Sequence, residues 1–275
     1  MTFEEPTKVA RTYYITLTRN QVLSRANGMI NASWNILAGN KVTHSGITLA
    51  SYIKNASNGQ AMTGIPYCWG GFNGYDNANS SYKGKSFTNI IGTKYNSSYY
   101  FTAGNLNSNN QYIEGSAGVD CSGFAGSAYD FSEKWGTSNF QGSFGHAILR
   151  NNLQLMDIMV KNGHCMLYYG RNSNTKGYYV YESTTAGGLN KTVYREVSSS
   201  YAEQFDAKTP WCIANSSIYA SNATIHWHPC SLDSNCTRKF NSAAHTWINY
   251  TTYYRCSVCG KTATTIVEPS GLNLY

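Results

Sequence analysis

Residues 118–124 read GVDCSGF. A cysteine stands between an acid and a serine, directly before a glycine and an apolar-periodic run. Asp120 reads as a helix cap, which sets Cys121 in the first turn of the helix that follows. There the partial positive charge of unpaired N–H groups favours the thiolate, the reactive form of cysteine. Gly123 is expected to let a substrate backbone come close. Phe124, Ala128, Phe131 and Trp135 follow at helical spacing on one face, so the helix is expected to run from Asp120 through the whole stripe.

A thiolate nucleophile needs a base. His164 opens a strand candidate, 164–169, directly after the turn-like KNG. A second candidate, 178–183, follows GRNSNTKG, a turn composition. A turn centred on residue 173 sets residue 164 across from residue 182, with the two side chains about 5 Å apart at Cβ on one sheet face. Glu182 would then orient the His164 imidazole and favour its charged form. A slip of one residue would turn Glu182 to the other face. His146, in FGHAI, is the rival base, in what reads as a loop. Cys68 and Cys165 sit in apolar surroundings and read as packing thiols.

The 275-residue chain is 41% hydrophobic and 13% charged, with a formal charge of +7 and 23 tyrosines. Its polarity comes from Asn, Ser, Thr, Gly and Tyr, a mix that suits strand- and loop-rich structure. The positive balance favours anionic partners. Nucleic acid and an anionic bacterial cell wall are both candidates, and the absence of any Lys/Arg run makes the nucleic-acid reading the weaker one. No stretch approaches the roughly 20 apolar residues of a membrane span, and MTFEEPTKVA carries no apolar leader. Val22, Ala26, Met29, Ile30 and Trp34 predict a helix through QVLSRANGMINASWNIL. IPYCWGG at 65–71 reads as a buried aromatic strand or turn. Residues 72–117 read as a long loop whose tyrosines (Tyr75, Tyr82, Tyr95, Tyr99, Tyr100, Tyr112) make an ordered, sticky surface.

Of eight cysteines, four lie beyond residue 222: Cys230, Cys236, Cys256 and Cys259. CSVCG is a thiolate knuckle for zinc, and tetrahedral zinc needs two ligands more. Cys236 and His245 complete a set with Cys256 and Cys259. His226, His228 and Cys230 are alternatives, and so are the disulfides Cys230–Cys236 and Cys256–Cys259. A module this short has little core, so a metal staple makes physical sense. Four filled ligands leave no position for a catalytic water, so the zinc would be structural. The expected organisation is a domain at 1–222 and a module at 223–275, the latter resembling small zinc ribbons appended to bacterial surface proteins.

PYCWGG at 66–71, GVDCSGF at 118–124, LQLMDIMV at 153–160 and GHCMLYYG at 163–170 together resemble the ordered motifs of NlpC-type cell-wall cysteine peptidases. The likeness spans roughly 60–200, with 72–117 as an insertion. It implies an α+β, papain-like domain, with N-terminal helices packed on an antiparallel sheet. It also implies an endopeptidase that cleaves peptidoglycan stem peptides, commonly beside γ-D-glutamate, outside the cell or at its surface and with no cofactor in the chemistry. By the same likeness Cys121 is nucleophile and His164 base, Asp120 and Ser122 receive the N-terminal end of the stem peptide, and Tyr67 lines the site. Two positions depart from the family pattern. Glu182 stands where a histidine is most frequent, and Leu155–Met156 replaces a proline–glycine before Asp157. An amidase or acyltransferase using the same triad, or a wall-binding protein without catalysis, are the other readings.

Overall fold

The computed structural model describes residues 15–43, 46–76, 85–109 and 112–210, and beyond them short stretches at 213–214, 220–221, 225–228, 240–244, 247–250, 253–256 and 261–263. Contacts divide the chain into two compact units, 21–210 and 1–20 with 211–275. The expected boundary at residue 222 lies inside the second of these. In that unit Ile15–Thr18 pairs in parallel with Ile213–Ala214, and the remaining described strands form two three-stranded antiparallel sheets. Among the described residues no helix is long and apolar enough to cross a membrane.

The larger unit mixes helix and sheet. Its helices include α1 (Arg19–Ile30, in this unit from residue 21), α2 (Cys121–Ala128) and α3 (Thr137–Gly142). Its sheet holds β1 (Gly145–Ala147), β2 (Ile158–Lys161), β3 (His164–Arg171), β4 (Tyr178–Thr184), β5 (Lys191–Val197) and β6 (Asp206–Pro210). The strand order is β5-β4-β3-β2-β6-β1, and every neighbouring pair is antiparallel. One face buries Met159, Met166, Tyr178, Val180, Val197, Phe205 and Ala207. Cys165 and Leu167 alternate to the opposite face, and α2 packs against β3 and β4. All eight residues of α2 are buried, and six are Ser, Gly or Ala. Small residues all round let this helix lie deep between its neighbours, where one apolar stripe would have left it at the surface.

Three expectations change. Helix α1 ends at Ile30, and Trp34 lies in the strand Ser33–Asn35, paired with Ala61–Thr63. The Trp34 indole N–H donates to the Gly64 carbonyl at 3.0 Å, and Phe87 meets its ring edge-on, so tertiary partners override the helical spacing. Likewise α2 stops at Ala128. Asp130 takes a left-handed φ of 63°, and Phe131 and Trp135 turn back into an aromatic cluster with Tyr129, Phe140 and Phe144. The 72–117 segment is less of a surface than expected: Phe87 and Phe101 are core residues, and Tyr99 alone of its described tyrosines is highly exposed. Tyr82 lies outside the described residues.

Candidate active site

Asp120 caps α2 as the sequence predicts, its Oδ1 accepting the Gly123 N–H at 2.7 Å. The second carboxylate oxygen accepts the Gly70 N–H at 3.0 Å. The WGG turn is thereby tied to the cap, and both glycines in the contact are obligatory. A Cβ on Gly123 would stand 2.0 Å from the Gly71 carbonyl oxygen, and one on Gly71 would stand 2.5 Å from that of Gly118. Gly123 therefore serves the fit between helix and loop, and the expected approach of a substrate backbone is replaced by that of residue 71. The chain entering the helix is fixed from the sheet as well, where the Ser183 hydroxyl donates to the Val119 carbonyl at 2.7 Å.

Cys121 opens the helix with its Sγ 3.9 Å from the Gly163 carbonyl oxygen, at the start of β3. His164 is the first residue of that strand, and its side chain is electrostatically linked to that of Cys121. Its Nε2 lies 2.5 Å from Glu182 Oε2. The hairpin brings this about through a register different from the expected one. Leu167 pairs with Tyr181 and Tyr168 with Val180, so the register, continued, sets Thr184 across from His164. Glu182 is the diagonal neighbour, two residues nearer the turn. The parity, and so the face, is the one predicted, and diagonal pairs stay within reach of long side chains.

Glu182 has no solvent exposure, and its second oxygen is taken by Arg195 Nε at 2.5 Å. Arg195 reaches it along the other diagonal, since Glu182 pairs with Val193 in β5. Burial pushes the Glu182 carboxyl up, but His164 and Arg195 outweigh it and hold the group below its ordinary range. For His164, burial works downward, and the bonds to Cys121 and Glu182 overcome it and raise the imidazole to about 9. The Cys121 thiol is pulled down to about 6, first by a hydrogen bond with the Cys165 thiol, against burial, and then by His164. Cys165 goes the other way, raised by burial and by its thiolate neighbour. The two shifts run in the direction that favours a thiolate–imidazolium pair, with Cys165 as a neutral donor to it. That gives Cys165 a part in the site beyond packing.

Tyr67 is buried beside the thiol and stays protonated, through burial first and then the Cys121 and Asp120 charges. Ser122 donates to Asp120 Oδ1 at 3.1 Å. Both side chains also meet Lys134, whose Nζ lies 3.0 Å from Asp120 Oδ2 and 3.0 Å from Ser122 Oγ. His146 is on the edge strand β1 opposite Thr209, in a strand where a loop was expected. Three strand spacings of about 4.8 Å separate that edge from β3, beyond hydrogen-bond reach of Cys121. Met156 adopts a left-handed φ of 62°, a conformation most readily taken by glycine, and its carbonyl accepts the Tyr129 hydroxyl at 2.8 Å. Of the expected zinc ligands, Cys236, His245 and Cys259 lie outside the described residues, and Cys256 is placed only as the end of the strand Tyr253–Cys256.

Arg195, Cys165 and Lys134 are the site residues that motif reading misses. Arg195 left one trace, a charge sharing a strand face with Val193 and Val197. A comparison with protein-family models gives no match, and a comparison with curated proteins gives none either.

Proposed function

We propose that this chain is a cysteine endopeptidase acting on peptidoglycan stem peptides at γ-D-glutamyl bonds. The observation that carries the chemistry is the Cys121–His164–Glu182 arrangement, with a depressed thiol at a helix start and a raised imidazole held by a buried carboxylate. Nucleophile, base and orienter are recognised by such roles rather than by chain order. The thiolate attacks the scissile carbonyl carbon, and the imidazolium gives its proton to the leaving amine. Water then attacks the acyl-thioester with His164 as base. The Cys121 N–H, first of its helix, has no intrahelical carbonyl to bond and is suited to the oxyanion. The choice of stem peptides and of a papain-like fold rests on the NlpC-type motifs, and the +7 charge agrees with an anionic wall reached from outside the cell.

Purified peptidoglycan incubated with the protein should release new peptide termini, identified by mass spectrometry, and Cys121→Ala should release none. Equal release by both proteins, or none by either, would end the reading. We also propose a structural zinc held by Cys236, His245, Cys256 and Cys259. Metal analysis should give one zinc per chain, whereas oxidised thiols without zinc would favour the disulfides.

A further inference from the structure

The Asp120 carboxylate is fully engaged. Gly123 N–H and the Ser122 hydroxyl bond to Oδ1, and Gly70 N–H and Lys134 Nζ bond to Oδ2. The Lys134 ammonium has three acceptors: that oxygen at 3.0 Å, Ser122 Oγ at 3.0 Å and the Trp135 carbonyl at 3.4 Å. An ammonium carries three donors, so this is its complete coordination. The nest adjoins the nucleophile in sequence on both sides, and it is reachable, with the Lys134 side chain 22% exposed and that of Asp120 11%. Lys134 lies in the loop between α2 and α3, tethered by no helix or strand of its own.

We infer that the flank of Cys121 is an ammonium-binding site filled by the chain's own Lys134, so that substrates are taken without a free α-amino group at that point. Lys134 is a specificity-determining residue, and its loss opens the nest to an incoming primary amine. The site has a chemical reason to be filled. An unpaired carboxylate next to a thiolate opposes formation of that thiolate, and an internal cation removes the repulsion without waiting for substrate. The claim about substrates rests on the peptidase reading, and the claim about the nest does not.

The test compares three disulfide-forming reagents on the full chain, with Cys121→Ala as background: a neutral alkyl methanethiosulfonate, its aminoethyl analogue and its trimethylammonioethyl analogue. Ratios between reagents cancel any change in thiolate fraction. In the native protein the two cationic reagents should behave alike. In Lys134→Met, or Lys134→Gln should Met impair folding, the primary ammonium should gain about tenfold over the quaternary one, the worth of a charge-assisted hydrogen bond. A native protein that already prefers the primary ammonium would show that Lys134 yields its place. Equal gains for both cations would reduce its effect to a field. Either result overturns the inference. Matched peptides with free and acetylated N-termini then test the substrate claim. The native protein should cleave both within about twofold of each other, and Lys134→Met should favour the free amine by about tenfold. If neither peptide nor whole wall is cleaved, the peptidase reading falls and takes the substrate claim with it, while the reagent ratios still decide whether Lys134 fills the nest.

Discussion

The pocket of Cys68 and the pocket of Cys121 bury their thiols almost equally, and they treat them in opposite ways. The two neighbourhoods adjoin, since the Cys68 N–H donates to the Val119 carbonyl at 3.1 Å. Cys68 has no solvent exposure and only weak polar partners, Ser116 Oγ at 3.3 Å and the Trp69 carbonyl at 4.0 Å. Burial dominates, and the thiol is pushed up to about 12. Cys121 is 5% exposed and pays a similar desolvation cost, but the Cys165 thiol and the His164 imidazolium overcome it and bring the group to about 6. Burial by itself makes a cysteine inert. Reactivity comes from donors and an opposite charge fixed within bonding distance, because these stabilise only the ionised form.

The sharpest way to break this comparison is to remove each thiol in turn. Cys121→Ala should lower turnover of muropeptides by about 10⁴-fold or more, because a nucleophile acts as part of a unit. Cys68→Ala should leave turnover essentially unchanged. Comparable losses would mean that the two pockets are not functionally distinct. Next in size is the base. His164→Ala should lose nearly as much as Cys121→Ala, and His146→Ala should lose little. The reverse pattern would assign proton transfer to the far edge of the sheet.

Arg195→Met tests the support behind the imidazole. It strips one of two partners from a fully buried carboxylate and should cost about 3 kcal/mol of stability, read from the denaturation midpoint. A shift near zero would show that solvent at Arg195, 28% exposed, already screens the pair.

The smallest effect is in the pH profile. Alkylation of Cys121 by iodoacetamide should rise as pH increases through about 6, where the thiolate appears. Turnover should then fall as pH rises through about 9, where the imidazolium is lost. Glu182→Gln should move that alkaline limb downward, since the amide still bonds the ring without stabilising its charge. A first limb at the ordinary cysteine value would place Cys121 with Cys68. Cys68→Ala should leave the profile where it is.

The cap and the place of Cys121 at the start of α2 were legible in the sequence because their causes are local. A cap, a thiol in the first turn and a glycine at the next position but one are neighbours in the chain, and the Asp120–Gly123 bond needs nothing from elsewhere. The side of the sheet shared by His164 and Glu182 was legible for a related reason: alternation has a period of two, so an error of two residues in register leaves the face intact. Tertiary structure decided the rest. Whether Glu182 lies across from His164 or on the diagonal depends on a turn centred between residues 174 and 175, later than its composition suggests, and on a bulge between Tyr168 and Gly170. Arg195 reaches Glu182 because β5 lies beside β4, Cys165 meets Cys121 because α2 crosses the start of β3, and Lys134 reaches Asp120 because Asp130 ends the helix and turns the chain back. No spacing in the sequence encodes these contacts. Each joins groups from separate elements, and only the packing of those elements sets the distance on which a charge–charge or hydrogen-bond energy depends.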